Sequence, residues 1–203
     1  MNFKSFSLLN LLLLNTYTYS MESKSRTNSL DNLDNKETIF TFIKMEEKDV
    51  DLVKSWINKP HVSRWWPSVK QDEDFFDCYL KRMRSNKIVP YLICLNNKSI
   101  GYIQYYLIDK TRDHWLPELP ENTIGTDQFI GLLDHTGKGY GPKFMSSFIQ
   151  YLIETKPKLE AIIVDPEPEN LIAIKCYEKV GFKSIGHSLT PLGDAIIMQY
   201  NIK

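Results

Sequence analysis

From residue 38 onward, apolar and polar positions along the chain follow two rhythms. Residues 38–44 alternate, a repeat of two that puts one set of side chains on a single sheet face, and they predict a β-strand. Residues 48–58 place Val50, Val53 and Ile57 on one helical face, and Pro60, which lacks the N–H a helix needs, ends that helix. An aromatic turn follows from His61 to Pro67, with Trp65 and Trp66 near its end. Residues 72–85 predict a second helix carrying Phe75, Phe76, Tyr79 and Met83. Residues 90–95 and 99–108 predict two strands joined by Asn96-Asn97-Lys98, a sequence suited to a hairpin turn. The polar stretch 111–122 holds Trp115 and two prolines; a loop of about a dozen residues is long enough to suggest a functional part.

The rhythm then alternates between strand and helix. Residues 123–131 predict a strand, and residues 142–154 a helix with Phe144, Phe148, Ile149 and Leu152 on its inner face. A short apolar strand is expected at 161–165 and a helix at 170–180, closed by Gly181. Strands at 182–187 and 195–202 complete the chain. Strands first paired by a hairpin, then alternating with helices, predict an α/β domain built around one mixed sheet, over residues 38–203. There is no internal repeat and no second domain.

Residues 1–37 have another texture. Lys4 precedes a mostly apolar run from Phe6 to Leu14, which resembles the start of a signal peptide. Asn10 interrupts that run, it is too short to span a bilayer, and no small-residue cleavage pattern follows it. Residues 21–37 are polar and read as a flexible linker. The segment is expected to be an extension, disordered or preceding a true start at Met21, on a cytoplasmic protein; export is the competing reading.

Composition narrows the partners. Twenty-five basic and 25 acidic residues cancel, so no global field draws the protein to nucleic acid or holds it stably on an anionic membrane. Cys78, Cys94 and Cys176 form neither a disulfide framework nor a zinc site, and the four histidines show no ligand spacing, so no metal is expected. Any attraction for a charged partner must therefore come from local clusters.

Candidate chemistry begins with Gly137, Gly139 and Gly141, spaced every second residue between a strand and a helix. Pro142 is expected at the first helical position, where its missing N–H costs nothing. Free N–H groups and the positive helix end would converge there on an anion. Lys138 is followed by Gly139 rather than Ser or Thr, which excludes a nucleotide P-loop, and Phe144 stands where a dinucleotide fingerprint needs glycine. A tight turn without a ligand is the other reading of this loop. Downstream, Ala173, Ile174, Tyr177 and Val180 share a helical face, so Tyr177 is either a core residue or a functional one.

The pair Gly139-x-Gly141 before a helix, together with Asn170-x-x-Ala173-x-x-x-Tyr177-Glu178-Lys179-x-Gly181-Phe182, resembles the GNAT superfamily of N-acetyltransferases. The resemblance implies a mixed, mostly antiparallel central sheet with helices on both faces and one splayed pair of strands. It implies acetyl-CoA as cofactor, its pyrophosphate held by the loop from Thr136 through Gly137, Lys138, Gly139, Tyr140 and Gly141 to Pro142 and Lys143. Thr136 stands where the family often has Gln or Arg. The pantetheine arm would lie along Phe129 and Ile130, in a slot opened by Pro166 and Pro168, with Asn170 and Ala173 at the next helix start and the Tyr177 hydroxyl aimed at the sulfur.

From about residue 45 to 200 the finer pattern looks like the aminoglycoside 6'-N-acetyltransferases. It comprises Trp65-Trp66 after a histidine, Ile100-Gly101-Tyr102-x-Gln104, Trp115, Gly125-Thr126-Asp127-Gln128 and Asp165-Pro166-x-Pro168. That likeness implies Asp127 as the base and Trp66 and Trp115 as walls of the acceptor site. Asp165, with Tyr79, Gln104 and Asp113, would contact the acceptor. The family's acidic contact in a late turn falls here at Leu192-Gly193-Asp194, so the charge has either moved two places, to Asp194, or been lost. On an alternating strand Gly125, Asp127 and Phe129 share a face, Gly125 leaving room beside the carboxylate. A backbone N–H near Phe129 would meet the oxyanion. Two readings compete: acetylation of another amine, such as a siderophore hydroxylysine intermediate or a polyamine, and a binding module without turnover. The assembly is expected to be a monomer or homodimer.

Overall fold

The computed structural model describes residues 39–66, 74–109 and 111–202. The expected extension lies outside them, as do Pro67 and the first residues expected of the second helix. Among the described residues the strand rhythm becomes one seven-stranded sheet: β1 (Phe40–Lys44), β2 (Ile88–Leu95), β3 (Lys98–Leu107), β4 (Thr123–Ile130), β5 (Ala161–Val164), β6 (Lys183–Thr190) and β7 (Gly193–Asn201). Their order is β1-β2-β3-β4-β5-β7-β6. Every neighbouring pair is antiparallel except β4 and β5. Asn96 and Asn97 take positive φ in the β2–β3 turn, the conformation a two-residue hairpin needs.

The helices are α1 (Val50–Ile57), α2 (Pro60–Ser63), α3 (Phe75–Arg84), α4 (Tyr140–Thr155) and α5 (Leu171–Val180). Pro60 closes α1 and opens α2, a single turn inside the expected aromatic loop. α3 starts at Phe75, later than the apolar pattern suggested, because the Asp74 carboxylate accepts the N–H groups of Phe76 and Asp77 at 2.9 and 3.1 Å. α4 starts earlier than expected, so Pro142 is its third residue, still within the turn whose N–H groups lack helical partners. α5 is capped by Asn170, whose side chain accepts from Ala173 N at 3.2 Å, and ends at Gly181 with φ 115°. β6 and β7 reach further toward their hairpin than expected, pairing Thr190 with Gly193.

Each sheet face carries its own core. Phe144, Met145, Phe148 and Leu152 of α4 and Tyr177 of α5 pack with Phe42, Ile103, Ile162 and Met198. On the opposite face Val53, Trp56 and Tyr79 pack with Leu92, Cys94 and Tyr102. Each fully buried side chain of this size contributes roughly 1.5–3 kcal/mol over its exposed state.

One break in the sheet positions the site. β4 and β5 pair from Thr123 and Ala161 only as far as Gly125 and Ile163. Beyond that point β4 stays on β3, while the chain after β5 stays on β7, with Ile196 N donating to Pro166 O at 2.9 Å. Gly131 N donates to Ile100 O, and Asn122 O accepts from Glu160 N, so odd-numbered backbone groups of β4 face β3 and even-numbered ones face β5. The N–H groups of Gln128 and Ile130 therefore point into the gap.

Candidate active site

On the β4 face toward α1 and α3 lie Gly125, Asp127 and Phe129, as the alternation predicts. Asp127 sits opposite Gln104 on β3 and accepts from its Nε2 at 2.7 Å, while Gln104 Oε1 accepts from the Tyr102 hydroxyl at 2.7 Å. Gln104 is buried and thus orients Asp127 from beneath. Desolvation raises the pKa of Asp127 above the ordinary carboxylate range, against the opposing pull of the Gln104 hydrogen bond and the Arg82 charge. Trp66 packs on Phe129 and Tyr102, at 4.8 and 5.5 Å between ring centroids, and so walls this face.

The β4–β5 register makes Asp127 and Asp165 the next same-face positions after Gly125 and Ile163, just where the strands have parted. Burial, then the charges of Asp127 and Asp113, pushes Asp165 up to about 7. Two neighbouring carboxyls with raised pKa values mark a candidate functional site.

Sequence reasoning missed Tyr106 here. A Cβ on Gly125 would overlap its ring, so the room that Gly125 leaves beside the carboxylate is filled by a phenol. Burial, with the charges of Asp127, Asp165 and Asp113, holds the Tyr106 pKa well above its ordinary value. A glycine opposite a tyrosine on the neighbouring strand was the available signal, since Tyr106 and Gly125 are register partners.

Other expected acceptor contacts are distributed differently. Tyr79 is fully buried, stacked on Phe75 and pushed up to about 12 mainly by burial, so it belongs to the core rather than the cleft surface. Asp113 is engaged by Arg112 Nε and Nη2, both at 2.7 Å, and by Asp109 N at 2.9 Å. Burial works to raise its pKa, and these bonds outweigh it, leaving it below the usual range. Trp115 is half-buried, its carbonyl accepting from the Ser188 hydroxyl of β6, which ties the long loop to the terminal hairpin. Asp194 is exposed and shares the strand parity of Ile196 and Met198, so it lies away from Asp127 and Asp165.

The opposite side of the gap is built from backbone. Gly137 and Gly139 take φ 69° and 71°, with nothing within 4 Å of an added Cβ, and no side chain caps α4. Lys138 and Lys143 are exposed beside this open helix end. The Thr136 hydroxyl bonds Leu133 O at 2.7 Å within the preceding turn, and Tyr140 packs edge-on against Phe40. Gly141 admits Cys176 of α5, whose sulfur would lie 2.9 Å from a Cβ there. Asn170 spends its side-chain oxygen on the α5 cap, leaving half-buried Ala173 and the amide nitrogen beside the helix start. Ile130 O accepts from His61 Nε2 at 3.1 Å, a link the sequence did not disclose. Phe129 turns its own N–H toward β3, so the N–H groups available in the gap are those of Gln128 and Ile130.

Tyr177 is buried on this side, and its hydroxyl accepts from Gln128 Nε2. Burial above all holds its pKa far above the ordinary value, so it stays protonated at neutral pH. An open helix N-terminus, a slot edged by free N–H groups and a buried proton donor fit a long anionic thioester carrier. No group of three or more metal-ligating side chains occurs among the described residues.

Known proteins agree with this geometry. Residues 45–188 match the acetyltransferase (GNAT) domain family. The chain is 33% identical over 159 residues to aminoglycoside N(6')-acetyltransferase type 1 of Klebsiella pneumoniae, covering 76% of this chain and 79% of that protein. It is 19% identical over 138 residues to the lysine N-acyltransferase MbtK of Mycolicibacterium paratuberculosis, covering 68% and 62%. The crystal structure of aminoglycoside acetyltransferase AAC(6')-Ib with coenzyme A and kanamycin superposes with a TM-score of 0.70 at 32% identity, over 80% of this chain and 94% of that one. With a sheet split between β4 and β5, a glycine loop leading into α4, and a match spanning most of its length, the chain belongs to the GNAT family of acetyltransferases.

Proposed function

We propose that the protein transfers the acetyl group of acetyl-CoA to the 6'-amine of aminoglycoside antibiotics, inactivating them, by direct attack in a ternary complex. The observation that carries this reading is the meeting of two faces at one gap. Asp127 lies on one side of β4 and Tyr177 on the other, both where β5 leaves the strand. The aminoglycoside N(6')-acetyltransferases among its relatives give the acceptor class.

Acetyl-CoA supplies a thioester, whose carbonyl an amine can attack once it has lost its proton. Asp127, steadied by Gln104, binds the acceptor ammonium and draws off its proton, directly or through water. The N–H groups of Gln128 and Ile130 meet the carbonyl oxygen as it gains negative charge. Tyr177 gives its proton to the departing sulfur. Asp165 attracts a further ammonium of a polycationic acceptor, and Trp66 and Trp115 offer flat apolar walls for sugar rings. The glycine loop and the uncapped start of α4 take the pyrophosphate. We place the reaction in the cytoplasm, the compartment of its acetyl donor, in a monomer or homodimer. Among the described residues no helix is long and apolar enough to cross a membrane.

A second acceptor class is favoured by one observation. The hairpin tip carries exposed Leu192 in place of an acid, with Asp194 turned from the cleft, which weakens the attraction for a polycation at that corner. A smaller amine, a hydroxylysine-type intermediate or a polyamine, is the reading this supports. Mass spectrometry of kanamycin incubated with enzyme and acetyl-CoA tests the choice: one acetyl group on the 6'-amine is expected, and unmodified kanamycin would transfer the assignment to the smaller amines.

A further inference from the structure

Gln128 faces the gap with its backbone N–H, while its side chain lies on the opposite sheet face from Asp127, against α5. Nε2 donates to the Tyr177 hydroxyl, and Oε1 is buried with no hydrogen-bond partner among the described residues. A buried carbonyl oxygen left unpaired costs about 1–3 kcal/mol, so its retention calls for a reason. Tyr177, for its part, accepts from Gln128 and donates to nothing among the described residues.

A phenol beside a carboxamide can bond in two ways. If the phenol donates to Oε1, its proton is consumed within the protein. If the amide nitrogen donates to the phenol oxygen, the phenolic proton stays free and must point elsewhere. The structure places Nε2 rather than Oε1 against the phenol oxygen, which corresponds to the second arrangement and leaves Oε1 bare. From it we infer that Gln128 is the positioning residue for the acid: it holds the Tyr177 oxygen as an acceptor so that the phenolic O–H is aimed into the gap. The inference rests on the reading of Tyr177 as proton donor. It also explains why an amide serves there. A carboxylate would only accept, and would draw the phenolic proton to itself; a hydrocarbon would leave the phenol free to rotate.

The test combines Gln128→Met, Gln128→Glu and Tyr177→Phe with a measurement needing no turnover. In the unliganded protein labelled at tyrosine Cζ, the NMR resonance that Tyr177→Phe removes should shift in Gln128→Met, and shift oppositely in Gln128→Glu, as the phenol changes from acceptor to donor. An unmoved resonance in both variants overturns the inference. In steady-state assays Gln128→Met should lower kcat about tenfold, with KM for acetyl-CoA changed less than about threefold, and should cause no further loss on the Tyr177→Phe background. Gln128→Glu should lose more at pH 8 than at pH 5, where its carboxyl regains a proton. An equal loss from Gln128→Met on both backgrounds marks a structural role and overturns the inference. If Tyr177→Phe loses activity while both Gln128 variants keep theirs, only the inference falls. If Tyr177→Phe itself keeps full kcat, the acid reading falls and takes the inference with it.

Discussion

The side of the gap proposed for the cofactor and the side proposed for the acceptor are built by different means. On the cofactor side, short stretches of chain do the work: glycines with positive φ, an uncapped helix start, and an asparagine capping the next helix. On the acceptor side, Asp127, Tyr106, Trp66, Trp115 and Asp165 come from five separated segments, and their surroundings set their properties. The first side offers a ligand backbone groups that few substitutions can alter. The second offers side chains whose charge and position depend on neighbours.

That contrast can be broken most forcefully at the point where the sides meet. Asp127→Asn keeps the hydrogen-bonding shape beside Gln104 and removes the charge. Steady-state kinetics should show kcat/KM falling by about 100-fold or more, with acetyl-CoA affinity by calorimetry unchanged. A comparable loss of acetyl-CoA affinity would mean that the two sides are not separable.

Gly125→Ala sharpens the comparison from the acceptor side. The new Cβ would overlap the Tyr106 ring, and a displaced phenol exposes or expels the cluster it covers. Raised KM for the amine, unaltered KM for acetyl-CoA and a stability loss of about 1–3 kcal/mol in urea unfolding are expected. Gly125→Ala combined with Tyr106→Phe should not recover, because the ring rather than the hydroxyl occupies the space.

Asp165 gives a smaller, pH-dependent effect. Its folded pKa, about 7, lies above the ordinary unfolded value of roughly 3.9, so the folded state holds its proton more tightly. That stabilisation is full below the unfolded value and is lost as pH rises through about 7. Asp165→Asn should therefore raise Tm at pH 8, with the gain fading as pH falls toward 4. In the native enzyme KM for a polycationic amine should drop as pH rises through about 7, as the carboxylate forms, and Asn at this position should remove that step. A variant whose Tm gain did not vary with pH would contradict the placement of this carboxyl.

The same division explains how much the sequence disclosed. The element order, the glycine loop and the closing Gly181 are local signals, carried by residues whose backbone preferences show in the chain itself. The face shared by Gly125, Asp127 and Phe129 followed from strand alternation. Tyr106 did not, because its place depends on which strand lies beside β4. Tyr79 pointed inward and Asp113 was already paired for the same kind of reason: helix facing and an adjacent arginine decide their fate, and neither is a matter of spacing. The start of α3 shifted because one carboxylate, Asp74, outweighed the apolar rhythm.

The central claim, amine acetylation with aminoglycosides as acceptors, is tested most directly by thiol release from acetyl-CoA. Kanamycin, tobramycin and amikacin should be compared with lysine, hydroxylysine and spermidine under one set of conditions. Turnover confined to the aminoglycosides is the predicted result. Turnover confined to the smaller amines would contradict it, leaving the fold and the Asp127–Tyr177 chemistry in place and making the Leu192–Asp194 hairpin the first region to exchange.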